Sequence, residues 1–480
     1  MGRLGITKRF VFMAIAAGMG LVCGFGAQSQ EAREKPNILL FMADDMTWHD
    51  LGCYGNKDVR TPHLDRLANE GDRYTHCFNS APMCAPTRMS LYTGIHPVRN
   101  GAHPNHSKVH DNIKSLPHYL GALGYRTALL GKRHEAPLAN FPFEFLGGRH
   151  HDNGKGVDLE LDKVGEFIAD AREQPWCLVV TSNQPHTPWN RGDASVYAAD
   201  KLTLPKYLVD TPETREAMTK YYAEISYMDA QFGECMKQLE ASGRAKNTLV
   251  IFLSEQGSNF PHCKWTCYDS GLRSAAILRW PAKRFGFDES RVKVIGEPMI
   301  QYVDILPTLV DFGGGNSADF DFDGRSILKM QYYHGKLIRP REFVYGVQTS
   351  KGIGAGPEAY GIRTIRDKRF RLIWNLNWEG EFQNSVVKRF EPYQSWKRLA
   401  DGGDDFAKEQ WSRYRKRPQY ELYDLDADPF EMGNLADNSR YRARFRRLKK
   451  ELAAWMKQQG DKGAQTEAEA LERKAKSRSK

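Results

Sequence analysis

The stretch Asn37-Ile-Leu-Leu-Phe-Met-Ala-Asp44-Asp45 decides the fold. Its short, unbroken apolar run has no polar face, so it reads as a strand buried on both sides, closed by two carboxylates. Comparable runs recur at 127–130, 177–181, 249–253 and 275–278, with helical patterns between them at 62–70, 116–123, 164–172 and 215–242. Strands alternating with helices predict an α/β fold, a large mixed and mainly parallel sheet sandwiched by helices. In such sheets the ligand crevice lies just past the C-terminal ends of the strands. Asp44, Asp45, Lys132, His186 and Glu255 all hold that place, which predicts one shared site.

Outward from this core the character changes twice. Near Gly324 the alternation stops. Segments 363–365, 370–375 and 421–424 then read as antiparallel strands, and 440–458 reads as a helix that closes a smaller α+β domain. The expected division is therefore 30–324 for the catalytic domain, 325–458 for the C-terminal subdomain and 459–480 for a charged, disordered tail. At the other end, Arg3, Lys8 and Arg9 precede an apolar stretch at 10–27, and small residues surround Ala27 and Ser29. Residues 1–29 read as a signal peptide, with an uncleaved anchor as the alternative, and imply a secreted or periplasmic protein. No other segment is long and apolar enough to cross a bilayer.

Composition narrows the class further. A hydrophobic content of 41% in 480 residues excludes a wholly disordered or fibrous chain. The net charge of +10 is not evenly spread: residues before Glu31 carry +3 and residues 437–480 carry +8, so the body is nearly neutral. Nothing in that distribution points to nucleic acid. Eight cysteines are too few for a disulfide scaffold. Cys177 and Cys235 read as buried hydrophobes, while Cys263 and Cys267 either pair or stand apart.

The sharpest motif is Cys84-Ala-Pro-Thr-Arg88, followed by Met-Ser-Leu-Tyr-Thr-Gly94 and preceded by Thr61-Pro-His-Leu-Asp-Arg-Leu-Ala-Asn-Glu-Gly71. Together these resemble the sulfatase signature, in which the cysteine is oxidised to formylglycine by a formylglycine-generating enzyme. Thr87 stands where the family usually has serine. The resemblance implies an alkaline-phosphatase-like fold and explains the need for an aldehyde. A hydrated aldehyde carries two hydroxyls on one carbon, so one attacks sulfur and the other expels sulfate, an exit that a thiol lacks. Pro86 and Arg88 are expected to set Cys84 at the start of a helix, where free N–H groups favour anionic oxygens.

The same resemblance extends along most of the chain. Asp44 and Asp45 match a metal-binding pair, and oxygen-only ligation suits one calcium ion. Ser254-Glu-Gln-Gly257 falls where the family has Ser-Asp-His-Gly or Ser-Asp-Asn-Gly. Glu255 and Gln256 therefore complete the expected metal set with Cys84, each lengthened by a methylene. Arg88, Lys132, His134, His186 and Lys264 match catalytic positions as cations and imidazoles around the reacting sulfate. His106 is a candidate substrate contact. Segments 302–309 and 421–436 also look like sulfatase sequence, and 100–106, 116–134 and 370–377 are most similar to the heparan N-sulfatase (sulfamidase) branch.

Three readings follow. The first is hydrolysis of O-sulfate or N-sulfamate groups on a sulfated carbohydrate such as a glycosaminoglycan. The second is a phosphate or phosphonate diesterase of the same superfold. The third, prompted by Glu255-Gln256, is a non-catalytic binder of sulfated glycans.

Overall fold

The computed structural model describes residues 35–148, 158–281 and 298–477, apart from 334, 335, 339, 352, 354, 355 and 358. The proposed signal segment lies outside these residues.

Eight strands build the large sheet: β1 (Asn37–Met42), β2 (Asp72–Phe78), β3 (Arg126–Gly131), β4 (Glu144–Gly147), β5 (Trp176–Thr181), β6 (Thr248–Leu253), β7 (Arg273–Arg279) and β8 (Ile300–Gln301). Their order is β4-β3-β5-β1-β6-β7-β2-β8. Only β7 opposes its neighbours, so the sheet is mixed and mainly parallel, as expected. β1 sits centrally between β5 and β6 and is buried throughout. Its side chains alternate between two cores. Leu39 and Phe41 join one face, whereas Ile38, Leu40 and Met42 join the other. This period of two is why the strand had to be apolar at every position from Ile38 onward.

A short hairpin follows, β9 (Gln331–Tyr333) and β10 (Lys336–Ile338). The smaller sheet is antiparallel, with β11 (Val344–Thr349), β12 (Gly361–Arg366), β13 (Phe370–Asn375) and β14 (Tyr420–Asp424) in sequential order. Ile362, Leu372 and Leu422 belong to the same apolar cluster as Leu39 and Phe41, so one continuous core runs beneath both sheets.

Two expectations are refined. The tail is ordered into a helix at Ala464–Ser477. Its Glu467 is buried and reaches Arg363 of β12 at 2.8 Å, a partner that segment composition could not reveal. Cys263 and Cys267 remain separate thiols, and all seven described cysteines are free. Cys177 and Cys235 are buried as expected. Among the described residues, no helix is long and apolar enough to cross a membrane.

Candidate active site

The parallel strands deliver four side-chain groups to one end of the sheet. β1 leads to Asp44 and Asp45, β3 to Lys132, β5 to His186 and β6 to Glu255 and Gln256. Close backbone approach is enforced by glycine. Gly131 has φ +104°, and a Cβ there would sit 2.1 Å from the Thr181 carbonyl. A Cβ on Gly257 would meet the Ser270 carbonyl at 1.9 Å. Asp45 and Glu255 adopt left-handed φ of 62° and 60°, conformations that non-glycine residues hold only when their surroundings impose them.

Cys84 arrives from another direction, as the first residue of the helix Cys84–Thr93. Every residue of that helix is buried. The Thr87 hydroxyl donates to the Ala81 carbonyl at 2.6 Å, so threonine keeps the hydroxyl that serine would offer. The Ala85 N–H at the helix start donates to Asn105 Oδ1 at 3.3 Å.

These groups converge. Ligand atoms of Asp44, Asp45, Cys84 and Glu255 all lie within 4.8 Å of one another, and those of Asp45, Cys84 and His186 do likewise. Cys84 Sγ is 3.8 Å from Asp45 Oδ1 and 3.2 Å from Gln256 Nε2. Gln256 presents its nitrogen to Asp45 Oδ1 at 2.5 Å, and rotating the amide by half a turn presents Oε1 instead. Arg88 Nε faces Glu255 Oε1 at 2.6 Å, with Nη2 3.6 Å from Asp44 Oδ1. Lys132 Nζ pairs with Asp44 and Lys264 Nζ with Asp45. Lys132 thus lies beneath the site rather than on its rim.

Burial would raise Asp44, but Lys132, Glu255, His186 and Arg88 outweigh it and hold the carboxyl well below the usual range. Burial lifts Glu255 well above that range, and Asp44 adds to the lift against the pull of Arg88. Two carboxyls packed this closely repel, and a cation held between them would relieve that. Burial pushes the Cys84 thiol up to about 12 despite Lys132 and Lys264, so it is protonated at neutral pH. Burial also depresses His186, helped by Lys264 and Lys132 and opposed by Asp45. The Thr187 carbonyl accepts from His186 Nδ1 at 2.6 Å, which leaves Nε2 facing Asp45 Oδ2 at 3.4 Å.

A cavity of about 360 Å³ opens onto Cys84, His106, His134, His186 and Lys264. The His106 and His134 rings lie 4.8 Å apart. Every site residue expected from the sequence is therefore at this cavity or directly beneath it. Sequence reading missed Trp265, Ile353, Ser385, Arg389 and Phe390, which also line it. The last three follow β13 by ten residues or more and carry no motif that could have flagged them.

The chain matches the profile of the Sulfatase family over residues 36–315. It is 32% identical over 445 residues to an ulvan-active sulfatase of Formosa agariphila, covering 90% of this chain and 82% of that one. It is 26% identical over 469 residues to N-sulphoglucosamine sulphohydrolase of Homo sapiens, covering 88% and 90%. Among solved structures, one from glycosaminoglycan metabolism in Bacteroides thetaiotaomicron superposes with a TM-score of 0.69 at 18% identity, covering 92% and 99%. Another, solved with its substrate D-glucosamine-2-N,6-O-disulfate, gives 0.64 at 20% identity, covering 89% and 99%. The chain belongs to the sulfatase family and is a sulfatase by activity class.

Proposed function

We propose that this enzyme hydrolyses O-sulfate ester or N-sulfamate groups on a sulfated carbohydrate, using a formylglycine derived from Cys84 and one calcium ion. The observation that carries the reading is the convergence of Asp44, Asp45, Glu255 and Cys84 within 4.8 Å at the strand ends. The relatives named above, which include an ulvan-active sulfatase and an N-sulphoglucosamine sulphohydrolase, support the carbohydrate class.

The donor set fits a hard cation. Asp44, Asp45, Glu255 and Gln256 offer oxygens, the ligand type calcium prefers. Asp44 Oδ1, Glu255 Oε2 and Gln256 Oε1 are buried without an aligned hydrogen-bond donor. Those three atoms gain a partner when a cation is held between them. Charge supports the same reading. Three carboxylates face three fixed cations, Arg88, Lys132 and Lys264, so the bare cluster is balanced. A divalent ion makes it net positive, as an anionic substrate requires. Bound there, calcium supplies charge stabilisation for the sulfate oxygens. Formylglycine supplies a hydroxyl nucleophile and a second hydroxyl that drives release.

The chain's own side chains take the remaining roles. Arg88 anchors Glu255 and Asp44, and Lys132 and Lys264 present positive charge to the reacting oxygens. His186, fixed through Nδ1, aims Nε2 at the departing oxygen or nitrogen and delivers a proton there only from its doubly protonated form. His134 assists the hydroxyls at Cys84, and His106 touches substrate. Residues 1–29 direct export, and oxidation of Cys84 requires a formylglycine-generating partner.

Two measurements test the reading together. Mass spectrometry of the peptide holding Cys84 is expected to show the aldehyde. Sulfate release from defined glycan disaccharides is expected to exceed phosphate release from matched phosphate esters. An unmodified thiol in active enzyme would refute the nucleophile, and phosphate release outrunning sulfate release would favour the diesterase reading.

A further inference from the structure

The cavity has a wall that the reaction itself does not use. No Asp or Glu is among its described lining residues, which include Lys264, Arg389 and three histidines. Lys264 is tied to Asp45. Arg389 is exposed, and among the described residues its guanidinium takes neither an ion pair nor a hydrogen bond. An unpaired guanidinium facing an acid-free cavity is a site for a planar or tetrahedral anion, because its fork donates two parallel hydrogen bonds.

Its position is built rather than incidental. Arg389 ends the short helix Ser385–Arg389, and Ser385, four residues earlier, lines the same cavity. Asn384 fixes the helix: its Oδ1 accepts from the Val386 and Val387 N–H groups, and its Nδ2 donates to the Tyr414 hydroxyl at 3.0 Å. Val386 is buried beneath it, and Phe390 packs against Trp189 and Phe260 with ring centroids 5.9 and 5.5 Å apart. Trp265, Ile353 and Phe390 give the cavity apolar surface on which the carbon face of a sugar ring can rest.

We infer that Arg389 is a specificity-determining residue that binds a second anionic group of the substrate, a carboxylate or another sulfate, beside the sulfate placed at Cys84. This deepens the proposed function and rests on it. The preferred substrate is then a polyanionic glycan, not a singly sulfated neutral sugar.

Binding separates the two ideas without relying on turnover. The full chain carrying Cys84→Ala, loaded with calcium, is titrated calorimetrically with three sulfated disaccharides. Their second sugar is a neutral hexose, a hexuronate or a sulfated hexose. The parent is expected to bind one or both of the doubly charged ligands more tightly than the neutral-hexose one, and which of them gains shows whether carboxylate or sulfate is read. Adding Arg389→Gln is expected to weaken the preferred doubly charged ligand roughly 10- to 100-fold and to affect the singly charged one far less, collapsing the preference. Arg389→Lys is expected to restore part of it, since a point charge replaces a fork. Equal losses for all three ligands, or no loss for any, overturn the assignment of Arg389 while leaving the carbohydrate reading standing. Failure of the parent to bind any of the three overturns the carbohydrate reading and this inference with it.

Discussion

Two buried ionic clusters in this molecule have different characters. At the tail, Arg363 of β12 holds Asp461 and Glu467. Every arm of its guanidinium is used: Nε and Nη2 serve the carboxylates, and Nη1 donates to the carbonyls of Gln348 and Ile362. Beneath the cavity, Arg88 also sits between carboxylates, yet its Nε and Nη2 lack aligned acceptors. Asp44 Oδ1 and Gln256 Oε1 are equally unmatched. Burial and charge are common to both clusters. The clamp leaves Glu467 Oε2 unmatched, whereas the cavity cluster leaves several atoms unmatched on donors packed around Cys84, which is how a site differs from a clamp.

That contrast can be broken from the cavity side first. Cys84→Ala is expected to lower turnover by roughly 10⁴–10⁶ while the thermal midpoint stays close to wild type, because the side chain contributes little packing. Substantial residual turnover removes formylglycine from the mechanism. His186→Ala is expected to cost about 10²–10⁴ in kcat/KM on sugar sulfates or sulfamates, whose leaving groups need a proton. Nitrophenyl sulfate, whose phenoxide leaves unaided, loses far less. Equal losses on both substrates reduce His186 to an electrostatic contact.

The clamp gives the opposite pattern. Arg363→Met strands two buried carboxylates and is expected to cost about 3–5 kcal/mol in urea unfolding, with turnover per folded molecule unchanged. A matching loss of kcat in the folded fraction shows that the tail cluster reaches the site. His96 supplies a test by pH. Its Nδ1 lies 3.1 Å from Ser80 Oγ, and its ring packs 5.2 Å from Trp455 of the helix Arg442–Gln458. Burial lowers it to about 4, with Arg341 and Arg99 adding to the shift against Asp323. Below about pH 6.5 the unfolded chain protonates first while the folded chain resists, so stability is full above that pH and falls as pH drops toward 4. The loss from this residue approaches about 3 kcal/mol. His96→Asn is expected to flatten that part of the pH dependence of the urea midpoint, and an unchanged slope rules His96 out as its source.

The smallest effect concerns calcium. At a hundredfold excess over its dissociation constant, calcium is expected to raise stability by about 2.7 kcal/mol, visible as a higher melting temperature that a chelator reverses. Asp45→Asn is expected to remove most of that shift, whereas Arg363→Met leaves it intact. A shift of equal size in Asp45→Asn places the ion elsewhere.

The cavity cluster was legible in the sequence and the clamp was not. Asp44, Lys132, His186 and Glu255 each follow an apolar strand, so the parallel-sheet rule brings them together without any knowledge of their contacts. Cys84 carried its own motif. Arg363 and Glu467 are about a hundred residues apart, in a strand and in a segment whose composition suggests disorder, and neither position has a local signature. Lys132 was assigned to the site but not to its depth, since strand ends specify which end of a sheet a residue occupies and not how far its side chain turns inward. Arg389 carries no local signature, because the helix Ser385–Arg389 has five residues and long-range contacts of Asn384, Val386 and Phe390 fix where it points.

The helix Cys84–Thr93 also sets an order of events in the life of the chain. Cys84 is 2% exposed, and Ala85, Pro86, Thr87 and Arg88 are buried with it. The formylglycine-generating partner proposed above would have to reach the Cys84 side chain and the residues beside it. The folded helix offers no such access, since every residue from Cys84 to Thr93 is buried. Under the proposed mechanism, oxidation of Cys84 would therefore have to precede closure of this helix, because the folded chain buries the side chain. On that reading the yield of active enzyme would depend on how long this segment stays open before it folds.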